Sequence, residues 1–172
     1  QMGGPPQKIT LAQGITRAYD GVKRNLTEMA EKMPEADYGY KPHPDSRAFG
    51  QLFAHAANSM YGSCAALKGV ANPNQGKNLE ELLKTKAEFV KAINDAYAFC
   101  DDAIKGITDA NVAEMVKQGQ NEVARGSIVA GIVATRSWGR SVVSAIGLLA
   151  GVVGAGAAVA FVLSPGSFVD AA

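Results

Sequence analysis

In the segment "RAFGQLFAHAANSMYGSC", residues 47–64, one histidine, His55, stands among apolar and small residues. An imidazole can ligate a metal or carry a proton near neutral pH, and the chain offers only two, His43 and His55. One imidazole alone does not hold zinc or nickel firmly, because such ions take three or four protein donors. His43, in "KPHPD", is expected to be a solvent-exposed loop residue that meets His55 only if the loop folds back. Asp101 and Asp102 are adjacent, so on a helix they point about 100° apart. They are expected to form an exposed face rather than clamp an ion. No serine–histidine–acid set is discernible from two histidines in these contexts.

Cys64 and Cys100 are too few for a zinc knuckle and too far apart for a redox pair. Two readings stay open for them: two buried thiols, or a disulfide, which needs adjacent helices in register and an oxidising compartment. Tyr97 and Trp138 read as packing residues. "NLT" at Asn25 fits a glycosylation acceptor but falls inside a helical pattern, and is taken as chance.

The elements that must position these groups are helical. Leu11, Ile15, Tyr19, Val22, Leu26, Met29 and Met33 recur at three- and four-residue steps, which places them on one stripe. Thr10 is the expected N-cap, and Pro34 the stop. "PEADYGYKPHPD" is a loop by its prolines and glycine. A second helix is expected from Asp45 or Ser46, with Phe49, Leu52, Phe53, Ala56, Met60, Cys64 and Leu67 as its stripe. A third is expected from Leu79 to Lys105, capped by Asn78, with Glu80 and Glu81 favouring the positive end of its dipole. "TDANVAEMVKQGQ" reads as a short helix capped at Thr108 or Asp109, and a last helix begins near Asn121. No alternation of strands is read in this order. The expected fold is all-α, a four-helix bundle in which each helix buries one stripe.

A chain of 172 residues is long enough to bury a real core as one domain. Residues 1–8 read as a flexible leader that is not itself a signal peptide, 9–163 as the bundle, and 164–172 as a tail. Exported (periplasmic or cell-surface) and cytoplasmic locations both stay open. A net charge of +1 removes the electrostatic case for nucleic acid, and Arg125, Arg136 and Arg140 are too sparse to restore it. Residues 141–163, "SVVSAIGLLAGVVGAGAAVAFVL", carry no charge and are long enough to cross a bilayer as a helix. Arg136 and Arg140 flank that stretch, and Gly147 and Gly151 are spaced as in close-packed membrane helices. The other reading is a buried fourth helix, with small residues that let neighbours approach. "VVGAGAAV" mimics part of a dinucleotide-binding loop but lacks the third glycine and a βαβ unit, so it is rejected.

"ADYGYKPHPDSRAFGQLFAHAANSMYGSCAALKG" resembles the corresponding stretch of the DinB-like (DinB/YfiT) family of bacterial four-helix bundles. The proline-rich entry and the spacing of Arg47, Phe49, Gly50, Leu52 and His55 carry that resemblance. "KTKAEFVKAINDAYAFCDDAI" is similar to the same family's third helix, and the likeness covers roughly residues 9–125. Many members bind a divalent metal through three histidines, one on the second helix and two placed four apart on the last. The resemblance implies that His55 holds the first of these positions. Some relatives use such a metal to activate a low-molecular-weight thiol for transfer to an electrophile, since coordination produces the thiolate nucleophile.

Here the chain departs from that pattern. No histidine follows His55, and the nearest counterparts of the paired ligands, in "GIVATRSWGRSVV", are Thr135 and Gly139. Three readings follow. The bundle is kept and the metal site lost; or the final helix has been replaced, through a shifted reading frame or by an apolar anchor. In the third, Glu114, Glu122 or Cys64 completes a different site. The leading reading is a binding or structural bundle with a degenerate metal site and no cofactor, able to form a homodimer. The alternatives are a metal-dependent hydrolase or thiol S-transferase with zinc or nickel at His55, and a bundle anchored in a membrane by residues 141–163.

Overall fold

The computed structural model describes residues 7–134. In chain order it contains α1 (Leu11–Lys32), a 3-10 turn at Glu35–Asp37, α2 (Phe49–Lys68), α3 (Leu79–Leu82) and α4 (Lys86–Lys105). A hairpin of β1 (Met115–Gln118) and β2 (Asn121–Ala124) follows, and then α5 (Arg125–Ala134). Four helices close a ring: α1 packs on α4 and α5, and α2 packs on the same two from the other side. The fold is the all-α bundle the apolar stripes require, with one small sheet added.

Helix ends follow local chemistry. Thr10 caps α1 as expected: its Oγ1 accepts from the Gln13 amide at 3.4 Å, and Gln13 Oε1 accepts from the Thr10 amide at 3.3 Å. Met33 is extended, as a residue before proline must be. Asp45 and Ser46 do not start α2. Ser46 Oγ is spent on the His43 carbonyl at 2.7 Å and the Asp45 amide on His43 Nδ1 at 3.3 Å, so this stretch closes its own turn. The helix begins three residues later, where Gln51 Oε1 accepts from the Ala48 amide at 2.9 Å. The Phe49 and Gly50 amides reach the carbonyls of Tyr40 and Tyr38, each at 2.9 Å. α2 ends at Gly69, in the left-handed conformation with φ of 65°.

Two expected elements differ. The helix expected over 79–105 is broken at Leu83–Thr85, where Thr85 and Glu88 form a fresh capping box for α4. The stretch from Thr108 to Gly119 is not helical. Asn111 Oδ1 accepts from the Thr108 amide at 2.8 Å to make a turn, and β1 then pairs antiparallel with β2, Met115 opposite Ala124 and Gln118 opposite Asn121. Gly119 turns the hairpin with φ of 62°, a conformation that costs glycine nothing. The last helix accordingly begins at Arg125 rather than near Asn121.

The core lies along the α2–α4 interface, which is the broadest among the described residues. Tyr38, Phe49, Phe53 and Phe89 form one aromatic cluster, with Tyr38 and Phe89 stacked at 5.7 Å. Tyr19 and Tyr97 meet edge-on at 5.6 Å. Beyond Tyr97, toward the C-terminal ends of the two helices, Cys64 of α2 and Cys100 of α4 form a disulfide and are both fully buried. Among the described residues no helix is long and apolar enough to cross a membrane. Residues 141–163, Thr135, Arg136, Trp138, Gly139 and Arg140 lie outside the described residues.

Candidate functional site

His55 sits in the second turn of α2, and its partner comes from elsewhere in the chain. The ring Nδ1 lies 2.7 Å from Oε1 of Glu80, on α3. The other Glu80 oxygen, Oε2, accepts from Arg47 Nε at 2.6 Å. An ionised carboxylate only accepts, so the imidazole donates through Nδ1 and presents Nε2 outward. The His55 and Arg47 side chains are 40% and 37% exposed, while Glu80 between them is 19% exposed.

Glu80 is held there by its short helix. Asn78 caps α3 by accepting from the Glu80 amide at 3.1 Å, and the Glu80 carbonyl accepts from Gln51 Nε2 of α2 at 3.4 Å. The break before α4 is what lets these four residues lie across α2. Burial alone would raise the Glu80 carboxyl's pKa; the hydrogen bonds from Arg47 and His55 outweigh it and hold the carboxyl below its ordinary value.

A depressed carboxyl stabilises the folded state above its unfolded pKa, and that contribution is lost as the pH falls through the lower folded value. Glu80→Gln is therefore expected to cost about 1 kcal/mol at neutral pH, the scale of half-exposed ion pairs. The deficit should shrink as the pH falls below the ordinary carboxyl range. Denaturant melts of both proteins at neutral and acid pH measure this; a deficit that stays constant with pH would refute the charge-based account.

The remaining candidates do not converge on His55. His43 is exposed in its loop, beside Asp45 at 3.6 Å. Asp102 is exposed, as expected, but Asp101 is not: its carboxylate accepts from the Tyr19 hydroxyl at 3.0 Å and from Lys23 Nζ at 2.6 Å, tying α4 to α1. Glu114 pairs with Arg125 at 3.2 Å, Glu122 is exposed on β2, and the Cys64 sulfur is consumed in the disulfide. Among the described residues no three His, Cys, Asp or Glu side chains are grouped as a metal requires. The undescribed segments add only Asp170 of those residue types. The donors in this chain therefore do not fit a three-histidine metal centre.

A crevice of about 40 Å³ opens between α1, α2, α4 and α5, walled by Leu26, Ser59, Met60, Ser63, Tyr97 and Ile132 among others. Ser59 and Ser63 follow His55 at successive four-residue steps on one side of α2. The Tyr97 hydroxyl is buried and has no hydrogen-bond partner among the described residues. Burial pushes its pKa well above the ordinary phenol value, so it remains a neutral donor. The crevice has room for about three water molecules, enough to satisfy that hydroxyl.

Sequence reasoning placed His55 correctly on α2 but missed its partners. In the sequence Glu80 shows only as a helix-start acid, and Arg47 only as part of a family spacing. Nothing in the local pattern couples residue 80 to residue 55, because their meeting depends on where the third helix breaks.

A family model described as the DinB superfamily matches residues 18–134. The crystal structure of a conserved protein from Enterococcus faecalis superposes with a TM-score of 0.58 at 12% identity, over 74% of this chain and 89% of that one. At that identity the likeness shows the fold alone. No curated protein matches the chain.

Proposed function

The chain belongs to the DinB superfamily, and from that membership we propose that it is a binding or structural bundle whose metal site is degenerate. His55 then serves in a charged latch rather than in catalysis. The observation that carries this reading is the commitment of both Glu80 oxygens, one to His55 at 2.7 Å and one to Arg47 at 2.6 Å. The latch ties α3 and the entry to α2 together at the position where relatives begin a metal site. The two missing imidazoles have only Thr135 and Gly139 as counterparts, and neither supplies a ring nitrogen.

The same contact favours one second reading. Metal-bound histidines commonly donate their other ring N–H to a carboxylate, which fixes the tautomer. His55 has that posture, with Nε2 free. A zinc or nickel ion held there would support the hydrolase or thiol S-transferase alternative.

Metal analysis separates the two. Protein purified from cells supplied with zinc and nickel is expected to carry well under one ion per chain, and His55→Ala to carry the same amount. One ion per chain, lost in His55→Ala, would overturn the latch reading in favour of the metal site.

A further inference from the structure

The disulfide leads to a partner class, independently of the role of His55. Cys64 and Cys100 are each 0% exposed, and they join α2 to α4 toward the C-terminal ends of both helices, in the broadest interface among the described residues. The Cys100 sulfur lies 3.6 Å from the Met60 carbonyl of α2, inside the packed core. Once α2 and α4 have closed on each other, no dissolved oxidant or enzyme reaches either sulfur. The bond therefore forms while α2 and α4 are apart. Reducing compartments keep thiols apart from each other as thiols, and disulfides persist where the surroundings are oxidising.

We infer that the chain is oxidised while still unfolded, in an oxidising compartment, by a dithiol–disulfide oxidase that passes its own reactive disulfide to Cys64 and Cys100. The exchange balances without a further reagent. One cysteine thiolate of the chain attacks the oxidase disulfide, forming a mixed disulfide and releasing one oxidase thiolate. The second cysteine thiolate attacks the chain sulfur of that mixed bond and releases the other oxidase thiolate. The chain loses two electrons and two protons, and the oxidase ends as the dithiol.

The test reads thiol state on the denatured full-length chain, so it does not depend on folding. The chain is produced in the reducing cytoplasm of a bacterial host and, behind an export signal, in its periplasm, with and without the periplasmic dithiol oxidase. Cells are quenched with N-ethylmaleimide and the chain is weighed by mass spectrometry. The expected result is no adduct from the oxidase-containing periplasm and two adducts from the cytoplasm. Most of the chain should also carry two adducts when the oxidase is absent. A fully paired chain from the reducing cytoplasm, two free thiols in the oxidase-containing periplasm, or pairing indifferent to the oxidase would each overturn the inference.

Discussion

Breaking the Cys64–Cys100 bond is expected to give the largest single loss of stability. The two residues are 36 apart in sequence, and a cross-link closing a loop of that size removes about 4 kcal/mol of unfolded-chain entropy in the chain-entropy treatment. For a domain of this size that corresponds to a fall in Tm of roughly 10–20 °C. Cys64→Ala, Cys100→Ala and the double variant should lose nearly the same amount, because any one of them abolishes the bond. Added reductant should do nothing further to them. In the unsubstituted protein both sulfurs are fully buried, so reductant should act only as fast as the core opens, and its effect should accelerate in denaturant. Thermal melts followed by circular dichroism, with and without reductant, measure all of this. A melt that reductant plus a denaturant pulse leaves within a few degrees would contradict the loop-closure argument.

How far this structure was legible depends on the range over which each signal acts. The start of α1 was readable because its capping partners, Thr10 and Gln13, are three residues apart. The stripes of α1, α2 and α4 were mostly readable because burial on one face imposes a repeat on contiguous residues, but Leu11 and Leu82, expected in the stripes, are 64% and 55% exposed. The break at Leu83–Thr85 was hidden, since Leu82, Leu83 and Phe89 keep a helical period across it and neither proline nor glycine marks it. Its local sign was the Thr85–Glu88 capping box inside "KTKAEF", outweighed by the apolar pattern. The hairpin was missed for another reason. Strands of four residues are too short for alternation to stand out, and the decisive feature, Gly119 at positive φ, is conformational. The His55–Glu80–Arg47 latch was the least legible. It joins residues 25 and 33 positions apart through a four-residue helix, and no one-dimensional pattern encodes that. Cysteine spacing likewise left thiol and disulfide open, because only the register of α2 against α4 decides between them.

That register rests on a glycine, which gives the second large effect. Gly50, in the first turn of α2, is approached by the Phe89 ring of α4 so closely that an added Cβ would lie 2.5, 2.8 and 2.9 Å from three of its carbons. The ring has no room to withdraw: Phe89 is 4% exposed and stacks on Tyr38. In an open helix, alanine for glycine gains about 1 kcal/mol of backbone stability. At Gly50 overpacking should reverse the sign, costing about 1–3 kcal/mol. Gly14 of α1 supplies the matched control, since nothing lies within 4 Å of a Cβ built there. Gly14→Ala is thus expected to stabilise by about 0.5–1 kcal/mol, while Gly50→Ala destabilises. If the clash with Phe89 is the cause, Phe89→Leu should relieve it, and the double variant should be more stable than the sum of the single losses predicts. Urea unfolding of the four proteins closes that cycle. Additive losses would place the cost of Gly50→Ala elsewhere, in the first turn of the helix that carries His55. A stabilised Gly50→Ala would show that α2 and α4 do not meet as closely as the positions of their cysteines require.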